Sequence, residues 1–201
     1  MRSRNTIVSG SVAIIAAFAA PAHATTAGCD AGTRAVMVDV NHAVPMRQNV
    51  ITEMGDTTIE SAALSTPDGR GMALDANDNP VSLWIGGRFY TTADGGETWT
   101  LLREQSEAEL DQQAANLRRQ AEEATGFICD YDIALDGRTV HRFEAEYVLI
   151  PSGVPARSRY WVDAETGFPW KVMHEFGGDA PMTITQQNEP VPDLTIPDPE
   201  R

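Results

Sequence analysis

The chain has 201 residues, 15 of them Lys or Arg against 29 Asp or Glu, for a net charge of −14. That sign works against nucleic acid, whose phosphates reward cations, and against an anionic membrane face. A hydrophobic content of 42% excludes an acidic disordered tail and is enough for a folded domain with a core.

The chain opens on Arg2 and Arg4, an apolar stretch from Ile7 to Ala20, and small residues at Ala22-His23-Ala24. A basic start, a short apolar middle and an A-x-A end read as a signal peptide over 1–24. The remaining 177 residues carry 13 basic and 29 acidic side chains. Export points to the bacterial periplasm and makes the two cysteines, Cys29 and Cys129, candidates for a disulfide. Such a bond would close a loop of about a hundred residues, worth on the order of 4–5 kcal/mol in the chain-entropy model. A second reading stays open. Thr26-Ala27-Gly28-Cys29 ends like a lipobox, so Cys29 could carry a lipid anchor and leave Cys129 unpaired.

Residues 30–43 fit a short helix or a strand equally well. From Pro45 to Leu64, two extended runs flank Gly55-Asp56, and turn clusters follow at 67–69 and 75–80. Val81–Ile85, Arg88–Thr92 and Glu97–Leu102, punctuated by glycine pairs, suit a meander of short antiparallel strands. Ser106 and Glu109 then make a capping box. Leu110, Ala114, Leu117, Ala121 and Ala124 recur at helical spacing up to Gly126, which predicts a helix with a thin, alanine-rich apolar stripe.

Beyond Cys129 the period becomes two. In Thr139–Ile150, His141, Phe143, Ala145, Tyr147 and Leu149 share one face, and Arg142, Glu144 and Glu146 share the other. Strands at Arg157–Asp163 and Phe168–Glu175 flank a hairpin turn at 164–167, and a last strand covers roughly Met182–Gln187. The half-barrel domain is thus expected over 25–188. Residues 189–201, with four prolines, form an extended surface tail.

Catalytic and metal chemistry leaves little trace. The three histidines of the mature chain, His42, His141 and His174, fall in no zinc motif, and no metal site or cofactor is expected. Asp75-x-Asn77-x-Asn79 begins like a calcium loop but has Pro80 where glycine must turn. Thr92-Ala93-Asp94-Gly95-Gly96-Glu97-Thr98-Trp99 matches the Asp-box hairpin of sialidase-type propellers. It occurs once, in a chain too short for such a propeller, and reads as a tight turn.

What remains is aromatic side chains on strands. Trp84, Tyr90, Trp99, Tyr147, Tyr160, Trp161, Phe168 and Trp170 are the candidate walls of an apolar cavity closed by the helix. Tyr160 and Trp161 are neighbours on one strand and point to opposite faces. The run Tyr160-Trp161-Val162-Asp163-Ala164-Glu165-Thr166-Gly167-Phe168-Pro169-Trp170-Lys171-Val172 resembles the W-[IV]-D-x-x-T-G-[LF]-P-x-[KR] hairpin of the LolA/LppX-like superfamily. The layout from Gly86-Gly87-Arg88-Phe89-Tyr90 through Trp99 and the helix is loosely similar as well. The resemblance implies an α+β fold, a curved antiparallel sheet forming an open half-barrel closed by one or two helices. It also implies an exported carrier or sensor with an apolar cavity and no catalytic residue.

The sequence therefore leads to a non-enzymatic periplasmic binding protein or carrier for a lipid or other hydrophobic small molecule. Its second expected partner is a basic or membrane-bound envelope protein. An envelope interaction or stress-sensing module and a hydrolase using surface carboxylates are the alternatives.

Overall fold

A computed structural model describes residues 26–39 and 44–199. Residues 1–24, read above as a signal peptide, lie outside the described residues.

Eleven antiparallel strands form one open sheet. An N-terminal meander runs β1 (Met46–Met54), β2 (Thr57–Ser65), β3 (Gly71–Leu74), β4 (Pro80–Ile85), β5 (Arg88–Thr91) and β6 (Thr100–Glu104). A C-terminal meander runs β7 (Thr125–Leu135), β8 (Arg138–Val148), β9 (Pro155–Asp163), β10 (Pro169–Phe176) and β11 (Met182–Pro190). The spatial order is β6-β5-β4-β3-β2-β1-β11-β10-β9-β8-β7, so the first and last strands meet at the centre. Two helices complete the fold, α1 (Thr26–Val38) before the sheet and α2 (Glu107–Glu123) between the meanders.

α2 forces the sheet to curl. It begins beside the β4–β5 turn, where Gln105 N donates to Gly87 O at 2.9 Å and a Cβ on Gly87 would lie 3.2 Å from Leu110 Cδ1. It ends against β8, with Ala121 and Ala124 packed in one core with Phe143 and Ala145. β5 and β8 are eight strand steps apart, about 38 Å across a flat sheet. A 17-residue helix reaches only about 25 Å. The sheet closes that difference by bending toward the helix, the right-handed twist of its strands supplying the curvature. The half-barrel expected from the sequence is what forms.

The capping box at Ser106 and Glu109 is in place, the Glu109 carboxylate accepting from Ser106 N at 2.8 Å. At the other end, the orphan carbonyls of α2 are satisfied from α1. The Arg34 guanidinium donates to the carbonyls of Ala121, Glu122 and Ala124, the complement that a helix C-terminus requires. The segment whose pattern fitted helix or strand equally is helix α1. The Cys29–Cys129 disulfide ties it to β7 with the Cα atoms 5.8 Å apart, so the Cys29 sulfur is engaged within the chain.

Two apolar clusters lie on opposite faces of the sheet. The first joins both helices to β8–β10 through Met37, Ala121, Phe143, Tyr160, Val162 and Val172. The second, Ala62, Met72, Leu74, Leu83 and Tyr90, lies on the outer face of β2–β5. Its cover is the C-terminal segment, which inserts Leu194 and Ile196, with Trp99 at the side. The proline-rich tail is thus a packed strap, with Ile196 buried.

Two strands had no counterpart in the sequence pattern, β3 and β7. Strand β6 starts at Thr100 because 92–99 is consumed by the Asp-box turn. There Asp94 accepts from Thr98 N at 2.9 Å and from the hydroxyls of Thr98 and Thr92, which hold its carboxyl well below the usual range. Gly71 on β3 lies beneath the Trp84 ring, where an added Cβ would sit 1.8 Å from Trp84 Cζ2. Gly71→Ala is therefore expected to displace the indole and lower the thermal midpoint, with a red shift in tryptophan emission as the check. An unchanged midpoint and spectrum would show that the ring moves freely.

Candidate functional site

Register assigns every strand residue to a face. Residues paired across the ladder share a side, so Tyr160 carries with it Phe143, Val172, Gln186, Val50 and Ser61. This is the helix-side face, because Phe143, Tyr160 and Val172 pack against α1 and α2. The next row is Ala145, Ser158, His174, Ile184, Thr52 and Ile59. A third row is Tyr147, Ala156, Phe176, Met182, Met54 and Thr57.

Among the described residues, no charged side chain falls on this face along β1–β5 or β8–β11. Arg47, Glu53, Glu60 and Arg88 point to the outer face of the N-terminal half, and Glu144, Arg159, Lys171 and Glu175 do so in the C-terminal half. In a chain of net charge −14, that segregation marks one surface as kept for something other than water.

The face is only partly covered. α2 packs on α1 and β8, and past β8 it spans the trough without filling it. Ile59 (48% exposed), Met54 (41%) and Phe89 (37%) on the sheet remain open. So do Leu110 (37%) and Leu117 (39%), which carry the helix's apolar stripe. An open apolar area of this kind signals a binding surface.

The aromatic candidates divide between the two faces. Trp84, Tyr147 and Tyr160 are on the helix side. Tyr90 is buried in the outer cluster, with Trp99 against it. Trp161 is also on the outer face, where the Lys171 ammonium sits 5.0 Å from its ring centroid. Phe168 and Trp170 belong to the hairpin end, with ring centroids 4.7 Å apart and the Arg138 guanidinium 3.9 Å from the Trp170 centroid. The Trp170 indole N–H donates to Asp163 at 3.1 Å, and the Thr166 backbone N–H and hydroxyl donate to the same carboxylate at 2.9 Å. These bonds, the indole first, hold the Asp163 carboxyl down at about 2. The D-x-x-T-G hairpin motif is therefore a turn-tying device that stands apart from the trough.

The helix-side face holds one concentration of polar chemistry. Tyr147 Oη lies 3.0 Å from Ser158 Oγ, which lies 2.6 Å from His174 Nδ1. Ser158 is fully buried, and its hydroxyl is engaged on both sides. A Ser–His contact invites comparison with a nucleophile and its base, but a hydroxyl enclosed in this way reaches no substrate. Burial pushes the Tyr147 phenol up and the His174 imidazole down, so both are neutral near pH 7. Sequence reasoning passed over Ser158 and His174 because it followed aromatic residues. The usable signal was strict alternation of charged and uncharged residues in β8–β10.

The outer face of the same strands is a ladder of ion pairs. Arg159 bridges Glu144 at 2.9 Å and Glu175 at 3.1 Å, Arg157 pairs with Glu146, and Arg142 with Asp130 at 2.5 Å. A cleft of about 550 Å³ opens at this end, among Glu123, Glu146, Tyr147, Arg157 and Glu175. Val148, Pro155 and Ala156 line it beside these charged groups. No group of His, Cys, Asp and Glu among the described residues could hold a metal ion.

The geometry defines a class of protein, an open half-barrel spanned by a helix, its inner face without charge along β1–β5 and β8–β11 and carrying Arg103 on β6, which pairs with Glu109 of α2 at 2.9 Å. No family model and no curated protein sequence matches the chain. Among solved structures it is similar to the Mycobacterium tuberculosis lipoprotein LppX, with a TM-score of 0.53 and 12% identity over 84% of this chain and 96% of that one. It is also similar to a LolA superfamily protein from Nitrosomonas europaea (TM-score 0.43, 12% identity, 83% and 93% covered). A further match is the MucA/MucB complex of Pseudomonas aeruginosa (0.47, 11% identity, 80% and 56% covered). The fold is LolA/LppX-like.

Proposed function

We propose that this protein is an exported, non-catalytic carrier or binding protein for a lipid or other hydrophobic molecule, held between the helix-side face of the sheet and α2. The observation that supports it is an inner face without charge along β1–β5 and β8–β11, left open at Met54, Ile59 and Phe89, with Leu110 and Leu117 exposed on α2. An acyl chain laid there gains about 0.8 kcal/mol for each methylene removed from water. Of the aromatic candidates, Trp84, Tyr147 and Tyr160 belong to this site by their face. Tyr90 and Trp99 serve the outer cluster, Phe168 and Trp170 the hairpin, and Trp161 the outer face beside Lys171. The periplasm is the proposed compartment. It rests on the leader-like segment at 1–24 and on the disulfide, and no described helix is long and apolar enough to cross a membrane.

Ile59→Asp places a charge in the trough at a residue already half exposed, so the fold should survive. The variant is expected to lose at least about tenfold in affinity for a neutral fluorescent lipid probe, since desolvating a carboxylate costs more than the 1.4 kcal/mol this represents. Equal probe binding by wild type and variant, with no lipid co-purifying from the periplasm in native mass spectrometry, would sink the carrier reading.

A further inference from the structure

The trough is not uniformly apolar, and three of its polar side chains are linked in one continuous chain. Tyr147, Ser158 and His174 stand on adjacent strands β8, β9 and β10, all on the helix-side face. Ser158 Oγ accepts one bond and donates the other, so the protons run in a single direction along the chain. If Tyr147 donates to Ser158, Ser158 donates to His174 Nδ1 and the imidazole carries its proton on Nε2. If the order is reversed, the Tyr147 hydroxyl keeps its proton free. In either order one end of the chain offers a donor and the other an acceptor, and His174 Nε2 has no partner among the described residues.

The Tyr147 end lines the cleft shared with Val148, Ala156 and Arg157, and the His174 end lies on the helix-side face. His174 is half-buried between Tyr160 and Phe176, with ring centroids 6.0 Å from each. Its row continues through Ile184 and Thr52 to the exposed Ile59. A molecule lying along that row would place one end against the imidazole and the rest over aliphatic side chains. No Arg or Lys shares the face of β1–β5 or β8–β11 among the described residues, so an anionic head beside His174 would be desolvated without a counter-charge on that face. A neutral carbonyl meets neither penalty, because it accepts the one N–H or O–H the chain presents.

We infer that Tyr147, Ser158 and His174 form the head site of the trough, and that the ligand is an uncharged acyl ester whose carbonyl is hydrogen-bonded there. The inference rests on the carrier reading above. Ser158 relays and orients, and whichever of Tyr147 and His174 holds the free proton makes the contact.

The test compares three probes of equal chain length, methyl oleate, oleate and 1-octadecene, competing for a neutral fluorescent probe bound to the disulfide-intact protein. Wild type should bind methyl oleate about tenfold tighter than 1-octadecene, the ratio that one neutral hydrogen bond of roughly 1.4 kcal/mol provides. Oleate should bind more weakly than the ester. In Tyr147→Phe/His174→Phe the ester's advantage should vanish while 1-octadecene binds within about twofold of wild type, as a change confined to the head requires. Tyr147→Phe/His174→Gln, which keeps a neutral donor and acceptor at position 174, should retain part of the ester preference that Tyr147→Phe/His174→Phe loses, and guards against a misfolded double variant. If ester and hydrocarbon bind alike in wild type, or the ester preference survives the double substitution, or oleate binds tightest, the head site is wrong and the carrier reading stands. If none of the three competes, both fall.

Discussion

Replacing Leu194 and Ile196 together by Asp is expected to destabilise the protein more than any pair of surface substitutions and to make it aggregate. Each side chain fills the cluster formed by Ala62, Met72, Leu74, Leu83 and Tyr90 on the outer face. Truncating one buried aliphatic residue costs roughly 2–5 kcal/mol, and a carboxylate in its place adds desolvation. Against a total stability of about 5–15 kcal/mol, the pair removes most or all of the margin. Denaturant unfolding and light scattering would measure it. The alternative result, a domain equally stable without the two side chains, would mean that the strap only rests on the sheet. The reason for the large effect is topological, since the helices occupy the other face and, beside Trp99, Leu64 and Ile85 at its margins, the strap is what covers this cluster among the described residues.

The second large effect concerns the bond between α1 and β7. Replacing Cys29 and Cys129 by Ser is expected to cost about 4–5 kcal/mol, or roughly 10–15 °C in the thermal midpoint, because the bond closes a long loop. The loss should extend to ligand binding. α1 supplies Arg34, which holds the last carbonyls of α2, so a loosened α1 leaves the C-terminal anchor of α2 unsupported. A reduced protein with an unchanged midpoint and unchanged probe affinity would show that α1 is held by packing alone. Calorimetry with and without reductant separates the two.

Much of this architecture could be read from local chemistry. The capping box at Ser106 fixed the start of α2, alternation fixed both faces of β8, and Asp163-Ala164-Glu165-Thr166-Gly167 marked the β9–β10 hairpin. What escaped was what depends on distant partners. β3 has four residues between turn clusters, too few for a period to declare itself. β7 carries two register shifts and a left-handed Asp132, which break the alternation that would have announced it. Near-continuous helical spacing was equally weak in α1, where Gly28 and Gly32 interrupt the pattern. Gly32 proves to be a contact point, its missing Cβ leaving room for the Phe143 ring. The tail's prolines signalled extension correctly but said nothing of what Leu194 and Ile196 would cover.

The candidate site was legible in a different way than aromatic content suggested. Trp161 and Trp170 are as conspicuous in sequence as Trp84, yet the ladder places Trp161 on the opposite face and the bulge between Pro169 and Lys171 puts Trp170 beside Arg138. Aromatic rings serve either face of a sheet equally well, whereas a charge tolerates only one. Reading the uncharged positions of β8, β9 and β10 together brings out Ser158 and His174.

The order of the strands also sets the order of events in folding. Each meander is built from hairpins between sequence neighbours, which close fast and cheaply. The seam between β1 and β11 is different, for it pairs Met54 with Met182 and Met46 with Pro190. Bringing those ends together costs on the order of 4 kcal/mol of loop entropy before any seam contact forms. Two half-sheets therefore assemble early, and their zipping along β1–β11 is the slow step. Until it happens, each half displays both the inner face meant for ligand and a bare central edge, so the interval before the seam closes is when the chain is most exposed to aggregation.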